Sequence, residues 1–589
     1  MNQPANQSSH RGRRRSDLAL LRRRVRVARG AEPGDLLLRG GTVVNVFTGQ
    51  LDRADVVIAD GWIAGVGPYA WQARETIELD GGVILPGLID GHMHLESTLL
   101  VPSELARLVV PQGTAAIIAD PHEIANVQGV AGIEMLLAAS AGLPLEIFFM
   151  APSCVPATAL EDAGAALDAA SVRRLLRRDR VLGLAEVMDF PAVLDARPAV
   201  LRKILAARRK RGPVDGHAPG LRGQSLMTYV AAGPRACHES TAADEAQEKA
   251  ALGMMVQVRE GSSEKNLAPL LPLLVADTLG DWCLATDDVL PNDLVAEGHI
   301  NARLRRVVQA GVPVGRAVRH ATLVPARHYG LADRGAVAPG YRANLAVVDD
   351  AVEFRPRLVI HDGTVVARDG QYLWSAAASP VASANTVRLA SISEQDFTLA
   401  TSGRACPVIT LVPGQIVTRR ETVDVRTQDG RWVFTPQQDV ALLACLERHR
   451  ATGRHGLGLV SGFRFQRDGA LGSSVGHDSH NLLVAGTNAG DMLACAAAVA
   501  GLGGGFVVAA GGRIVAELPL PVAGLMSTAD ASTVCRGLVR VNAAVADLGC
   551  PLAHPFTALS FLALPVIPEL RLTPRGLIDV LSQQWVPMP

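Results

Sequence analysis

The sequence predicts an α/β protein: a (β/α)8 barrel with a small composite β domain and a C-terminal α+β domain. Three observations predict it. Short apolar runs recur between Gly82 and Asp288 every twenty to thirty residues or so (roughly), each closing on polar residues and followed by a helix-like stretch, the rhythm of repeated βα units. Short β-branched runs broken by Gly and Asp flank that region on both sides, at residues 35–67 and again at 340–370. A chain of 589 residues is also too long for one ordinary core, so two or three domains are expected, one of them a barrel of roughly 250 residues.

Taken in order, residues 1–34 read as an arginine-rich, disordered extension. The stretch RGRRRSDLALLRRRVRVARG carries nine arginines and one acid. Its longest apolar stretch, LALL, is too short for a secretory signal, which needs about 7–15 apolar residues. Residues 35–85 read as the first part of the small β domain, and residues 336–385 as the second, so one sheet is assembled from both ends of a larger insertion. Between them, residues 86–335 hold the barrel, whose eight runs are GVILPGLIDGHMH, TAAIIADPHE, EIFFMAPS, VLGLAEV, PVDGHA, RACHES, MMVQVRE and WCLATDD. The basic cluster AARRKRG reads as the exposed end of a barrel helix. Residues 386–589, with their own apolar runs and Gly clusters, are long enough for a separate α+β core.

Composition narrows the function classes. With 48% hydrophobic residues, 19% charged residues and a net charge of +0, no nucleic-acid-binding surface is expected, and the partner is a small molecule. The 8 cysteines are scattered singly, which fits a reducing cytoplasm better than a disulfide framework. The longest uncharged run, residues 492–510, is broken by Gly501, Gly503, Gly504 and Gly505; it reads as helix, turn and strand, and no membrane span is expected.

The polar residues ending the runs carry the chemistry. In a barrel of this kind the carboxyl ends of the strands form one rim. On a strand, residues i and i+2 share a side, so His92 and His94 both aim into the barrel mouth. One HxH pair is weak evidence of a metal site, but Glu186, His217, His238 and Asp287 end four separate later strands. The set suits two divalent ions: His92 and His94 on one, His217 and His238 on the other, Glu186 bridging, and Asp287 close to a shared hydroxide. His and carboxylate ligands suit manganese, iron and zinc alike, and manganese or iron is the expectation.

These motifs resemble the amidohydrolase superfamily, whose members carry HxH after strand one, a bridging carboxylate after strand four, histidines after strands five and six, and Asp after strand eight. Many relatives bridge with a carboxylated lysine; LGLAEVMDF offers Glu186 and no lysine, which resembles the bacterial adenine deaminase family in particular. So do PGLIDGHMHLEST, ADPHEIANV, FFMAPSCVPAT, DGHAPG, CHEST, VREGSS and LATDD, in that order, and GLVSGF, GHDSHN and AGTNAGDM in the C-terminal region. GAVAPGYRANLAVVDD is similar to the segment returning to the β domain, with Asn344 where Asp is usual. The resemblance covers roughly residues 35–589 and leaves only the arginine-rich arm outside.

The resemblance implies a metal-dependent hydrolase barrel that deaminates adenine to hypoxanthine and ammonia with two divalent metal ions, in a cytoplasmic homodimer that binds a purine base. A related 6-aminopurine, a cyclic amide, or a non-catalytic metal-binding role are the alternatives. Asp287 is the candidate proton shuttle, and Glu239, then Glu123, the candidate acid at a ring nitrogen; an orienting role for Glu239 stays equally open. His122, after Asp120, is a ligand, a substrate contact or a supporting hydrogen-bond partner. Arg259, Glu260 and Ser262 either touch the purine edge or hold their loop. Glu96 and Ser97 are further candidate substrate contacts, and Asp90 a strand-end support. In GHDSHN, the residues His477, Asp478 and His480 either close over the barrel mouth, form a further metal site, or decorate a solvated turn.

Overall fold

The computed structural model describes residues 8–375, 381, 385–412 and 415–589. Eight parallel strands lie side by side in sequence order: β1 (Leu88–Met93), β2 (Thr114–Ala119), β3 (Glu146–Ala151), β4 (Val181–Val187), β5 (Val214–Gly216), β6 (Ala236–Cys237), β7 (Met255–Arg259) and β8 (Trp282–Ala285). A parallel bridge between Met93 and Asp287 brings the last strand end back to the first, so the sheet closes into a barrel. The predicted fold is present, and each quoted apolar run contributes one strand. The strands are buried on both faces, which is why they read as continuous apolar runs rather than alternating ones.

One set of side chains fills the barrel interior: Ile89, Ile118, Phe148, Met150, Ala185, Ala236, Met255 and Cys283 form a cluster of their own. Gly91 belongs to the same interior, where a Cβ would run into the Cys283 sulfur. Gly91→Ala should therefore overpack the barrel and cost about 1–3 kcal/mol, read as a fall in unfolding midpoint in a denaturant titration.

The β domain is a nine-stranded sheet to which both flanks contribute. Val83–Pro86, just before the barrel, pairs antiparallel with Leu345–Val348, just after it, so the chain enters and leaves the barrel through adjacent strands. Asn344, at the position where Asp is usual, donates to Glu146 and accepts the Asp362 amide N–H, which ties this return to the base of β3.

The arginine-rich arm differs from expectation. Ser8–Ala28 is helical rather than a disordered extension, and its second half is packed. Val27 is buried with Leu37, Val57, Ala59, Ala64 and Trp71. Arg23 donates to Asp35 at 2.7 Å and to Asp60 at 2.6 Å, and Arg24 lies over the Trp62 ring. Composition alone misleads here because the acids that neutralise the arm lie in the following domain. Residues 1–7 of the arm lie outside the described residues.

The C-terminal region carries a second eight-stranded sheet, mostly antiparallel, flanked by helices Ala489–Gly501 and Ala531–Asp547. The glycine-broken apolar run is the first of these helices, a turn, and the strand Gly505–Ala510. Among the described residues no helix is long and apolar enough to cross a membrane, and the cysteines are free. AARRKRG ends helix Pro198–Arg209, where its exposed cations face the negative end of the helix dipole.

Candidate metal centre

Asp90, fully buried, builds the end of β1. Its Oδ1 accepts the His92 amide N–H at 3.2 Å and that of Thr286 at 3.1 Å, while Oδ2 accepts the Thr286 hydroxyl at 2.5 Å. His299 Nε2 lies 2.9 Å from the same Oδ2. One carboxylate thus locks β1 to β8 directly beneath the histidines.

Above it the six candidate ligands converge, all of them buried. Glu186, from the end of β4, stands between two histidine pairs. Its Oε2 is 2.6 Å from His217 Nδ1 and 3.2 Å from His238 Nε2, and its Oε1 is 3.6 Å from His94 Nε2 and 4.0 Å from His92 Nε2. Asp287 closes the ring, with Oδ1 3.1 Å from His94 Nε2 and 3.4 Å from His92 Nε2. Asp287 sits in the left-handed region at φ 61°, a conformation Asp tolerates better than most residues and one that turns its side chain into the mouth.

The donor set fits divalent cations. Four imidazoles and two carboxylates give overlapping three-ligand groups, including His92, His94 and Glu186 on one side and Glu186, His217 and His238 on the other. His92 Nε2 is buried without a hydrogen-bond partner, a lone pair that a cation would satisfy. His94 Nδ1 lies 3.0 Å from the Asp120 carbonyl oxygen; donation there leaves Nε2 free to ligate.

Around the ligands runs a rim of charged groups. Arg259 forks onto Glu239, with Nη1 to Oε1 at 2.6 Å and Nη2 to Oε2 at 3.1 Å, and the same Nη1 donates to Asp287 Oδ2 at 2.7 Å. Burial alone would raise the Glu239 carboxyl, but Arg259, His217 and His238 hold it well below the usual range, so it is ionised and fully engaged. Glu123 is the opposite case: burial, Asp288 and Glu96 push its carboxyl well above the usual range. It accepts the Ser97 hydroxyl at 3.2 Å and faces His477 Nδ1 at 3.3 Å.

The loop carrying GHDSHN comes from the C-terminal domain and is buried over the barrel mouth. His122 Nε2 is 3.6 Å from Asp478, Ser479 donates to Glu161 at 2.5 Å, and Asn481 donates to the Asp162 carbonyl at 2.7 Å. The solvated-turn alternative is not what the chain adopts.

Of the candidate substrate contacts, His122, Arg259, His477 and Asp478 line the cavity above the ligands. Glu96, Ser97, Asp120, Glu260 and His480 do not. Glu260 is turned away, pairing with Arg306 at 2.6 Å and accepting the Leu267 amide at 3.0 Å, so it holds its loop. Glu96 accepts the Ile124 amide at 3.0 Å, Asp120 accepts that of His122 at 3.2 Å, and His480 Nδ1 accepts that of Gly476 at 3.2 Å. Ser97 bridges Glu123 and Asp288.

Residues 83–366 match the model of the amidohydrolase family, and residues 415–584 that of the adenine deaminase C-terminal domain. An adenine deaminase of Desulfatibacillum aliphaticivorans is 44% identical over 556 residues, covering 94% of this chain and 97% of that one. The chain belongs to the adenine deaminase family. Adenine deaminase 2 of Carboxydothermus hydrogenoformans is 43% identical over 96% of this chain and 98% of that protein. The adenine deaminase of Methanothrix thermoacetophila is 44% identical over 96% and 98%.

Within this adenine deaminase fold, sequence reasoning missed one side of the cavity. Met188, Glu264 and Asp288 line it from the barrel, and Ile416, Phe561, Leu564 and Ile567 from the C-terminal domain. Asp288 stands beside Asp287 in LATDD and was within reach of a closer reading. The apolar residues carry no signal, because such side chains default to core.

Proposed function

We propose that the protein hydrolyses adenine to hypoxanthine and ammonia, and the observation that carries this is Glu186 standing between two histidine pairs where many amidohydrolases use a lysine. His92 and His94 would hold one divalent ion, His217 and His238 a second, with Glu186 shared and Asp287 completing the site. When bound, such ions lower the pKa of water and supply hydroxide at neutral pH. Manganese or iron is the proposed occupant, and a cytoplasmic homodimer the proposed setting; metal analysis and light scattering check the occupant and the assembly.

Asp287 would take the proton of the attacking water at one oxygen and pass it to the departing amine, while Arg259 holds its other oxygen in place. Water adds to C6, the C6–N bond breaks, and the amine leaves as ammonia with that proton. As the ring gains electron density, a ring nitrogen needs a donor. Glu123, rather than Glu239, suits the task on geometry: both Glu239 oxygens are occupied by Arg259, whereas Glu123 carries its proton beside Ser97 and His477. Glu123→Gln, which keeps a donor but cannot transfer a proton, is expected to lower kcat about 100-fold with little change in KM, read by steady-state ammonia release.

Metal uptake should release protons. Burial lowers the His94 and His238 imidazoles, but Asp287 for His94, and Glu186 and Asp287 for His238, outweigh it and raise both well above their usual value. Each must lose its proton to ligate, so affinity rises with pH. Calorimetric titration of metal-free protein in buffers of different ionisation enthalpy reads the protons released; none released at pH 6 would contradict this pairing. The function itself is tested by adding manganese and following adenine absorbance with ammonia release. Turnover of hydantoin or dihydropyrimidine without ammonia from adenine would overturn it.

A further inference from the structure

The barrel supplies only the polar half of the cavity. Its other half comes from the C-terminal domain, where Phe561, Leu564 and Ile567 form a small apolar cluster of their own with Ile416 packed against it. All four face the cavity that His217 and Asp287 line from the barrel side. The cavity is narrow, ≈40 Å³, so an entering ring displaces or packs against these side chains rather than standing free in solvent.

Two features fix this wall. Arg571, fully buried, donates from Nε to the Ile567 carbonyl at 2.8 Å and from Nη2 to the Ile416 carbonyl at 2.7 Å and the Pro568 carbonyl at 3.0 Å. A buried guanidinium is costly unless its N–H groups are satisfied, and here they clamp two distant segments of chain together. Phe561 stacks on the His477 ring at 4.6 Å and 9°, and His477 faces Glu123, which joins the wall to the charged rim.

We propose that this wall, Ile416, Phe561, Leu564 and Ile567 clamped by Arg571, selects the bare purine base and rejects purines substituted on the five-membered ring. The inference rests on the deaminase reading and names what that site admits. With the amine-bearing carbon against the histidines and carboxylates, the rest of a flat base extends toward the wall. An aromatic ring packs well on hydrocarbon. A sugar does not: its hydroxyls would lose water and find no acceptor among Leu and Ile side chains. A methyl group at the same position would meet the wall sterically.

The test uses full-length, manganese-loaded protein with adenine, 9-methyladenine and adenosine. Wild type is expected to prefer adenine strongly. In the Leu564→Ala, Ile567→Ala double variant, the ratio of kcat/KM for adenine over 9-methyladenine is expected to fall about 10-fold or more, with KM for adenine rising more than kcat falls. Ile567→Val, a milder change that preserves folding, should move the ratio the same way by less. Arg571→Lys, which keeps the charge but loses the fork, should also lower it. An unchanged ratio in variants that bind metal and deaminate adenine would overturn the wall while leaving the deaminase reading intact. So would wild-type protein that accepts 9-methyladenine as well as adenine. Wild type inert toward adenine would overturn the deaminase reading, and the wall's selectivity with it.

Discussion

Asp287→Asn is expected to lower kcat for adenine by about 100- to 10,000-fold while metal content stays near that of wild type. The asparagine is nearly isosteric. Its carbonyl oxygen can still accept from Arg259, which now donates to Asp287 Oδ2 at 2.7 Å, and the neighbouring histidines keep their places. What disappears is a carboxylate able to take a proton. Burial disfavours that charge, but His238, His92, His94 and Arg259 hold the group well below the usual carboxylate range, so the wild-type residue stands ready as an acceptor. Ammonia release measured beside elemental analysis separates the two effects. Activity within tenfold of wild type would remove Asp287 from proton transfer.

Glu186→Gln is expected to weaken binding of at least one metal ion by about 100-fold or more and to abolish turnover with it. Glu186 alone reaches both histidine pairs, one oxygen to each. An amide offers one weaker oxygen donor and an N–H₂ that would face one imidazole pair, so the shared position is lost. Dialysis followed by metal analysis reads the loss directly. If Glu186→Gln kept both ions and full activity, the bridging assignment would fail.

Much of this site is written in the sequence. The strands are short and buried on both faces, so each appears as an uninterrupted apolar run, and the barrel's rim collects whatever polar residue ends it. That is why His92, His94, Glu186, His217, His238 and Asp287 could be gathered from five different strand ends and the turn after β1. Side-chain direction was harder. Glu260 and Glu239 both follow barrel strands, yet one turns outward to Arg306 and the other inward to Arg259, a difference set by partners remote in sequence. The apolar wall was illegible for a different reason. Leu564 and Ile567 look like any core residues until the C-terminal domain is seated on the barrel. The arginine-rich helix misleads in the same way, since Asp35 and Asp60, which neutralise Arg23, belong to the sheet that follows it.

The central claim is that two histidine pairs sharing Glu186 hold two divalent ions that serve deamination of adenine. Metal-free protein titrated with manganese, with bound metal and ammonia release from adenine measured on the same samples, tests it most directly. The account predicts that activity saturates at two ions per chain. Full activity at one ion or none, or two bound ions with no ammonia from adenine, would contradict it.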